Sequence, residues 1–450
     1  MNTINLRTIS EIVDNKLGYP LWHPYSDINK QYGQMLNLVK GMGTYLFDVD
    51  NKMYLDATSG LWNISLGYGN KNIIDAIKTQ LEQLPFCSLF ENTSPVLIMA
   101  ANKILNLLNG EMEKILFTCS GSESIDLSIK VMRKYWHLQE KPNKNIIISF
   151  KNSYHGTYYG SISVSGIEQD NLKGYGPTLA NFVFHEYATC KNCKYGLDCN
   201  ECNMQCITSI QSYLELNSDK IAGILIEPIL ASNGVTLFPD GYLARISDLC
   251  KKHNVLLAVD EVALGFYRTG SVFYYQYAKM NPDIICMGKG INSGYLPLGA
   301  VAFNFKIYSA FSNSNEQIIH GSTQAGNLLS CAACITTIDQ YLSTNISHNV
   351  LETGSYIKEQ LTSRLSFHRN IGDIRGVGLL IGIDLVKYKN SCEYLPGEKI
   401  FYIQEYLKYH GLIIYRSDTG LMLLPMLIID KSEADIIINK IVEAFHIILF

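Results

Sequence analysis

The chain has 450 residues, 47% of them hydrophobic, enough to bury a large core and to divide into two or three domains. Its 37 basic and 41 acidic residues leave a net charge of −4 with no basic block or arginine-rich stripe, which argues against nucleic acid as a partner. The opening MNTINLRTISEIVDNKLG has no apolar signal-peptide core, and no apolar run reaches the ~18 residues of a spanning helix, so a soluble, cytoplasmic protein that does not use a membrane is expected.

Along the chain, an N-terminal arm is followed by TYLFDVDNKMYLDAT, whose alternation around Asp50-Asn51 predicts a hairpin. From NIIDAIKTQLEQL onward, helical periodicity alternates with short apolar runs: KILFTC, NIIISF, AGILIEP, VLLAVDEV, DIICMG and GAVAFN. Runs apolar on both faces and separated by helices predict an α/β fold around a mostly parallel sheet covered on both sides. Beyond about residue 325, longer amphipathic segments (AACITTIDQYLSTNI, KIFYIQEYLKYH) mix with short strands (LLIGIDLV, LIIYR, LMLLP), the pattern of an α+β domain. No repeats, low-complexity tracts or long polar linkers interrupt the chain.

Open parallel sheets bind ligands beyond the carboxyl ends of their strands, which makes the residues after each apolar run the candidates. After KILFTC, the stretch SGSES leads into a helical pattern and places Gly121 and Ser122 at a helix N-terminus, suited to a phosphate; a plain Ser N-cap backed by Glu is the alternative. After VLLAV stands Asp260, either a helix cap or surface ion pair, or the carboxylate that keeps a pyridinium nitrogen protonated, with Val262 small enough to lie against a ring. After DIICMG, Lys289 stands alone between Gly288 and Gly290. A desolvated amine there loses proton affinity and becomes able to form a Schiff base with an aldehyde. A phosphate site, a ring-nitrogen partner and an imine-forming amine together describe pyridoxal phosphate.

The segments LLAVDEVALGFYRTG, GKGINSGYLPLGA, YHG at 154–156, IEP at 226–228 and HGSTQAGN at 320–327 resemble the signatures of class III pyridoxal-phosphate aminotransferases of fold type I, in order and from about residue 40 to the C-terminus. The resemblance implies a large α/β cofactor domain over 71–325, and a smaller α+β domain assembled from 1–70 and 326–450. It implies that Gly121 and Ser122 bind the phosphate, that Tyr154 stacks on the ring beside His155 and Glu227, and that Asp260 and Val262 serve the ring. Lys289 then carries the Schiff base and the proton transfer of a ping-pong reaction between an amine donor and a keto-acid acceptor. Ser322 and Thr323 reach the phosphate of a second subunit, making a homodimer with shared sites. No metal takes part in the chemistry.

SGLWN at 59–63 and IIYRSDTGLMLLP are most similar to ω-amino acid or amine:pyruvate transaminases, which implies that Trp62, Tyr154 and a mobile Arg416 contact substrate. LWHPYSD at 21–27, GNLLSCAA and the Arg416-to-Pro425 spacing also resemble the 7,8-diaminopelargonate aminotransferases of biotin synthesis, and an aminomutase on the same fold is a further alternative. Tyr267, where the family usually has glycine, and Leu328, where it usually has proline, depart from the pattern. Of the 12 cysteines, Cys190, Cys193, Cys199, Cys202 and Cys206 cluster in CKNCKYGLDCNECNMQC. The gap between its two C-x2-C pairs is short for structural zinc, so a thiol-rich loop stands beside a metal site as the reading.

Overall fold

The structure is a computed structural model that describes residues 21–27, 35–167, 169–190, 193, 195–196 and 202–448. Its centre is a seven-stranded sheet: β1 (Lys114–Thr118), β2 (Ile146–Phe150), β3 (Phe182–His185), β4 (Ile221–Ile226), β5 (Leu256–Asp260), β6 (Ile284–Met287) and β7 (Gly299–Phe303). The spatial order is β1-β7-β6-β5-β4-β2-β3, with only β7 antiparallel to its neighbours. β4, β5, β6 and β7 are buried along their whole length, which is why their sequences run apolar without alternation. Each fully buried Val, Leu or Ile among them contributes ~1.5–3 kcal/mol relative to exposure. The edge strand β3 is only half-buried along its four residues, FVFH.

The helix Gly121–Leu138 crosses one face of the sheet, burying Ile125, Ile129, Met132 and Trp136 at spacings of three and four residues. The Trp136 indole donates to the Ala222 carbonyl at 2.7 Å, fixing the helix to β4.

The expected hairpin forms as strands Tyr45–Asp48 and Met53–Asp56. Met53–Asp56 pairs in parallel with Leu412–Ile413, so the N- and C-terminal segments share a sheet and together build the smaller α+β domain. LIIYR is not one strand. Leu412–Ile413 joins that N-terminal sheet, whereas Tyr415–Arg416 pairs with Gly420–Leu423 in a second sheet with Ile371–Val377 and Leu380–Leu385. Among the described residues no helix is long and apolar enough to cross a membrane.

Candidate active site

The carboxyl ends of β1, β2, β4, β5 and β6 converge on one place. At β1, Ser120 caps the helix: its hydroxyl accepts the Glu123 amide at 3.2 Å, and the Glu123 carboxylate accepts the Cys119 amide at 2.8 Å. The capping device foreseen from SGSES is therefore present, and it orients the first-turn amides of Gly121 and Ser122, which have no partner within the helix. A Cβ at Gly121 would lie 2.6 Å from Val262 Cγ1, and one at Gly156 would lie 2.2 Å from Ser122 Oγ. Glycine at both positions brings the three strand ends within contact distance.

Glu227 follows β4 and is almost wholly buried. Its carboxyl accepts the Tyr154 amide at 2.6 Å, which sets the turn carrying Tyr154 and His155. Burial, reinforced by nearby Asp260, pushes the Glu227 carboxyl well above its usual range. Asp260, at the end of β5, is held from two sides: Oδ2 is 2.8 Å from His155 Nδ1 and Oδ1 accepts the Val262 amide at 3.0 Å. The buried His155 ring thus uses Nδ1 on the aspartate, and its Nε2 meets no partner among the described residues.

Lys289 follows β6 with a φ of 42°, a left-handed backbone that non-glycine residues adopt only under constraint. Its side chain keeps some surface accessible, yet burial draws the amine down to about 8, against the opposing pull of Asp260 and Glu227. The amine sits 4.3 Å from the ring centroid of Trp62, itself at φ 65° and buried, and Trp62 meets Tyr415 edge to face at 5.3 Å. Asp260, Glu227, His155, Val262, Gly121, Ser122, Tyr154, Trp62 and Lys289 are therefore one site.

Three further expected residues make other contacts. Ser322 lies against Cys119 of the same chain, 3.6 Å from its thiol, and Thr323 is exposed. Arg416 is exposed, with its guanidinium 5.2 Å over the Phe401 ring. Cys199 lies outside the described residues. Cys190, Cys193, Cys202 and Cys206 line a cavity of about 1070 Å³, and no group of three or more potential metal ligands occurs among the described residues.

Sequence reasoning passed over Arg268. It is buried, donates to the Leu379 and Pro425 carbonyls and reaches Ser59 Oγ at 3.1 Å, tying β5's following loop to both terminal segments; burial draws it down to about 10. Neighbouring Tyr267, the departure from the family's glycine, has a φ of 70°, the left-handed region where glycine is at ease. Its ring lies 5.6 Å from Tyr341.

The site fits a phosphorylated pyridine aldehyde on observations of its own. It holds a helix start lined by glycine, a depressed amine, a carboxylate fixed by two partners, and a buried imidazole nitrogen left unpaired among the described residues. The family model described as Aminotransferase class-III matches residues 28–445. An adenosylmethionine-8-amino-7-oxononanoate aminotransferase of Staphylococcus aureus is 32% identical over 95% of this chain and 96% of its own. Among solved structures, an (S)-enantioselective ω-transaminase from Thermomicrobium roseum superposes with a TM-score of 0.93 at 29% identity, over the full length of both chains. An amine transaminase from an uncultivated Pseudomonas species, solved with pyridoxal phosphate bound, gives 0.92 at 28% identity over 95% of this chain and 99% of the other.

Proposed function

The chain belongs to the class III pyridoxal-phosphate aminotransferases, and from that premise we propose that it transfers the amino group of adenosylmethionine to 8-amino-7-oxononanoate. The full-length likeness to the Staphylococcus aureus enzyme supports this substrate pair, and the LWHPYSD segment agrees with it. The site's ability to carry transamination rests on one observation, the depressed Lys289 amine beside the doubly held Asp260.

Bound pyridoxal phosphate supplies the aldehyde that receives the amino group and the ring that draws electrons from the substrate's reacting carbon. Gly121 and Ser122 hold the phosphate with first-turn amides and the helix dipole. Asp260 holds the proton on the ring nitrogen, and His155 fixes the orientation of Asp260. Glu227 anchors the turn that carries Tyr154, and Tyr154 and Val262 would hold the ring between them. Lys289, as a neutral amine, would hold the cofactor covalently through its aldehyde, and the same amine would carry the proton at the substrate's reacting carbon. Trp62 walls the substrate side. Ser322 and Thr323 serve the phosphate of the second subunit in a homodimer.

A second reading, transfer from simple or ω-amines to pyruvate, is favoured by the solved amine transaminases and by the exposed Arg416. Steady-state assays separate the two. Adenosylmethionine with 8-amino-7-oxononanoate is expected to give the higher kcat/KM, and faster turnover of putrescine or 1-phenylethylamine with pyruvate would overturn the first reading. Product formed from a single substrate without an acceptor would instead indicate an aminomutase.

Both readings use a carboxylate-bearing substrate, which gives Arg416 a role. Its stacking on Phe401 is of the exposed kind, worth ~0.5–1 kcal/mol, so the side chain can leave the ring for a carboxylate at little cost. Arg416→Ala is expected to raise the KM of the oxo-acid ten-fold or more, a loss of ~1.4 kcal/mol, while the half-reaction with an amine lacking a carboxylate is unchanged. Equal losses in the two half-reactions would make Arg416 a structural residue.

A further inference from the structure

Several residues other than glycine and asparagine in the segments that carry or flank Trp62, Phe266 and Lys289 have left-handed backbones: Ser59, Trp62, Phe266, Tyr267, Lys289 and Ser293, with φ between 42° and 70°. Val235 belongs with them at φ 61° and is the least tolerant of all, because its β-branched side chain crowds the backbone there. Val235 is buried in the apolar cluster that includes Trp62, Leu380 and Met422. Its amide returns to the Ala231 carbonyl at 3.2 Å, and Ala231's own amide bonds to the Glu227 carboxyl. The 231–235 turn therefore shares an apolar cluster with Trp62 and a hydrogen bond with Glu227, two walls of the site.

Arg375, far away in sequence and on a strand of the C-terminal sheet, holds this turn in its strained form. Its Nε donates to the Val235 carbonyl at 2.8 Å and its Nη2 to the Gly234 carbonyl at 2.6 Å. Toward the carboxylates, Nη1 donates to Asp373 Oδ2 at 3.1 Å and Nη2 to Asp384 Oδ1 at 2.9 Å, and Nη1 also forms an ion pair with Asp384 Oδ2 at 2.8 Å. The guanidinium thus bridges two carbonyls and two carboxylates at once, in a fork that lysine cannot reproduce. The approach is possible because Gly382 faces the turn without a side chain; a Cβ there would lie 2.3 Å from the Gly234 carbonyl oxygen. The same turn seats the loop after Arg416, since a Cβ on Gly234 would lie 2.3 Å from Thr419 Oγ1 and 3.4 Å from Ser417 Oγ.

We propose that Arg375, braced by Asp384, is a positioning residue: it clamps the strained Gly234–Val235 turn so that Trp62, Glu227 and the Ser417–Gly420 loop face the substrate in one fixed arrangement. The C-terminal domain thereby sets the shape of a pocket whose chemistry is supplied by the large domain. This rests on the reading of Trp62 as a substrate wall.

The test is Arg375→Lys, which keeps a cation for the buried Asp384 but loses the fork to the two carbonyls. With the best donor found in the substrate assays, the variant is expected to raise the donor KM at least ten-fold and to lower kcat by less than three-fold. It is also expected to shift the pH midpoint of the bound cofactor's visible absorption, because Glu227 and Trp62 both border the Lys289 amine. Adding Val235→Gly, which adopts a φ near 60° without a clamp, is expected to restore the pH midpoint in the Arg375→Lys background. A variant that melts earlier but keeps the wild-type KM and pH midpoint would overturn the proposal, as would a double variant no closer to wild type than Arg375→Lys. Trp62→Ala tests the underlying reading by itself. An unchanged donor KM there defeats the substrate wall, whereas a raised KM there with none in Arg375→Lys defeats the clamp alone.

Discussion

Lys289→Ala is expected to lower turnover by four orders of magnitude or more while leaving the fold intact. A positioned proton-transfer group contributes about 10²–10⁴ in rate, and in the proposed mechanism this lysine also supplies the nucleophile that engages the cofactor aldehyde. Burial draws the amine down to about 8, well below the ordinary lysine value, so its charged form is disfavoured in the folded chain and its removal is expected to leave the fold in place. The same depression sets a pH dependence in the cofactor-free enzyme. Below about pH 8 the amine is protonated and cannot attack; above it the neutral amine is present. Cofactor uptake by the wild-type apoenzyme should therefore accelerate as pH rises through about 8 and then level off. Stopped-flow absorbance checks this, and a rate that is flat across that range would contradict the placement of the amine.

Asp260→Asn is the second large effect. The amide is isosteric, and its carbonyl oxygen can still accept the Val262 amide that Asp260 now accepts at 3.0 Å. What it removes is the negative charge proposed to hold a proton on the ring nitrogen, and with it the natural acceptor of the His155 Nδ1–H. Loss of a single preorganised electrostatic partner costs ~10²–10³ in rate, and this carboxylate acts throughout the reaction, so kcat is expected to fall at least that far with cofactor still bound. Single-turnover spectra with the amine donor measure it. Near-normal rates would mean that the ring nitrogen does not depend on Asp260.

The large domain was legible because the same physical fact produced both signals. Strands buried on both faces read as uninterrupted apolar runs, and the polar residues that end them lie where an open parallel sheet binds its ligand. Gly121, Asp260 and Lys289 could thus be assembled into one site before any geometry was known. The edge strand Phe182–His185 escaped because it is half-buried at the sheet's edge. LIIYR read as one strand because its apolar residues are continuous, yet it divides between two sheets, and which face Arg416 takes on a two-residue strand is decided by its partner Leu421. Arg268 and Arg375 were illegible for another reason. Their partners are carbonyls and carboxylates supplied through tertiary contacts, Pro425 for one and Gly234 for the other, and no local pattern marks an arginine that will be buried on such groups. Val235 carries no signal at all, since a valine in sequence gives no hint of a left-handed backbone.

The account turns on Lys289 being the residue that engages pyridoxal phosphate. Reduction of the holoenzyme with borohydride, followed by proteolysis and mass mapping, tests this directly. The phosphopyridoxyl group is expected on Lys289 alone, in the peptide that contains MGKGINSGY. Recovery of the label on any other lysine, or none on Lys289, would contradict it.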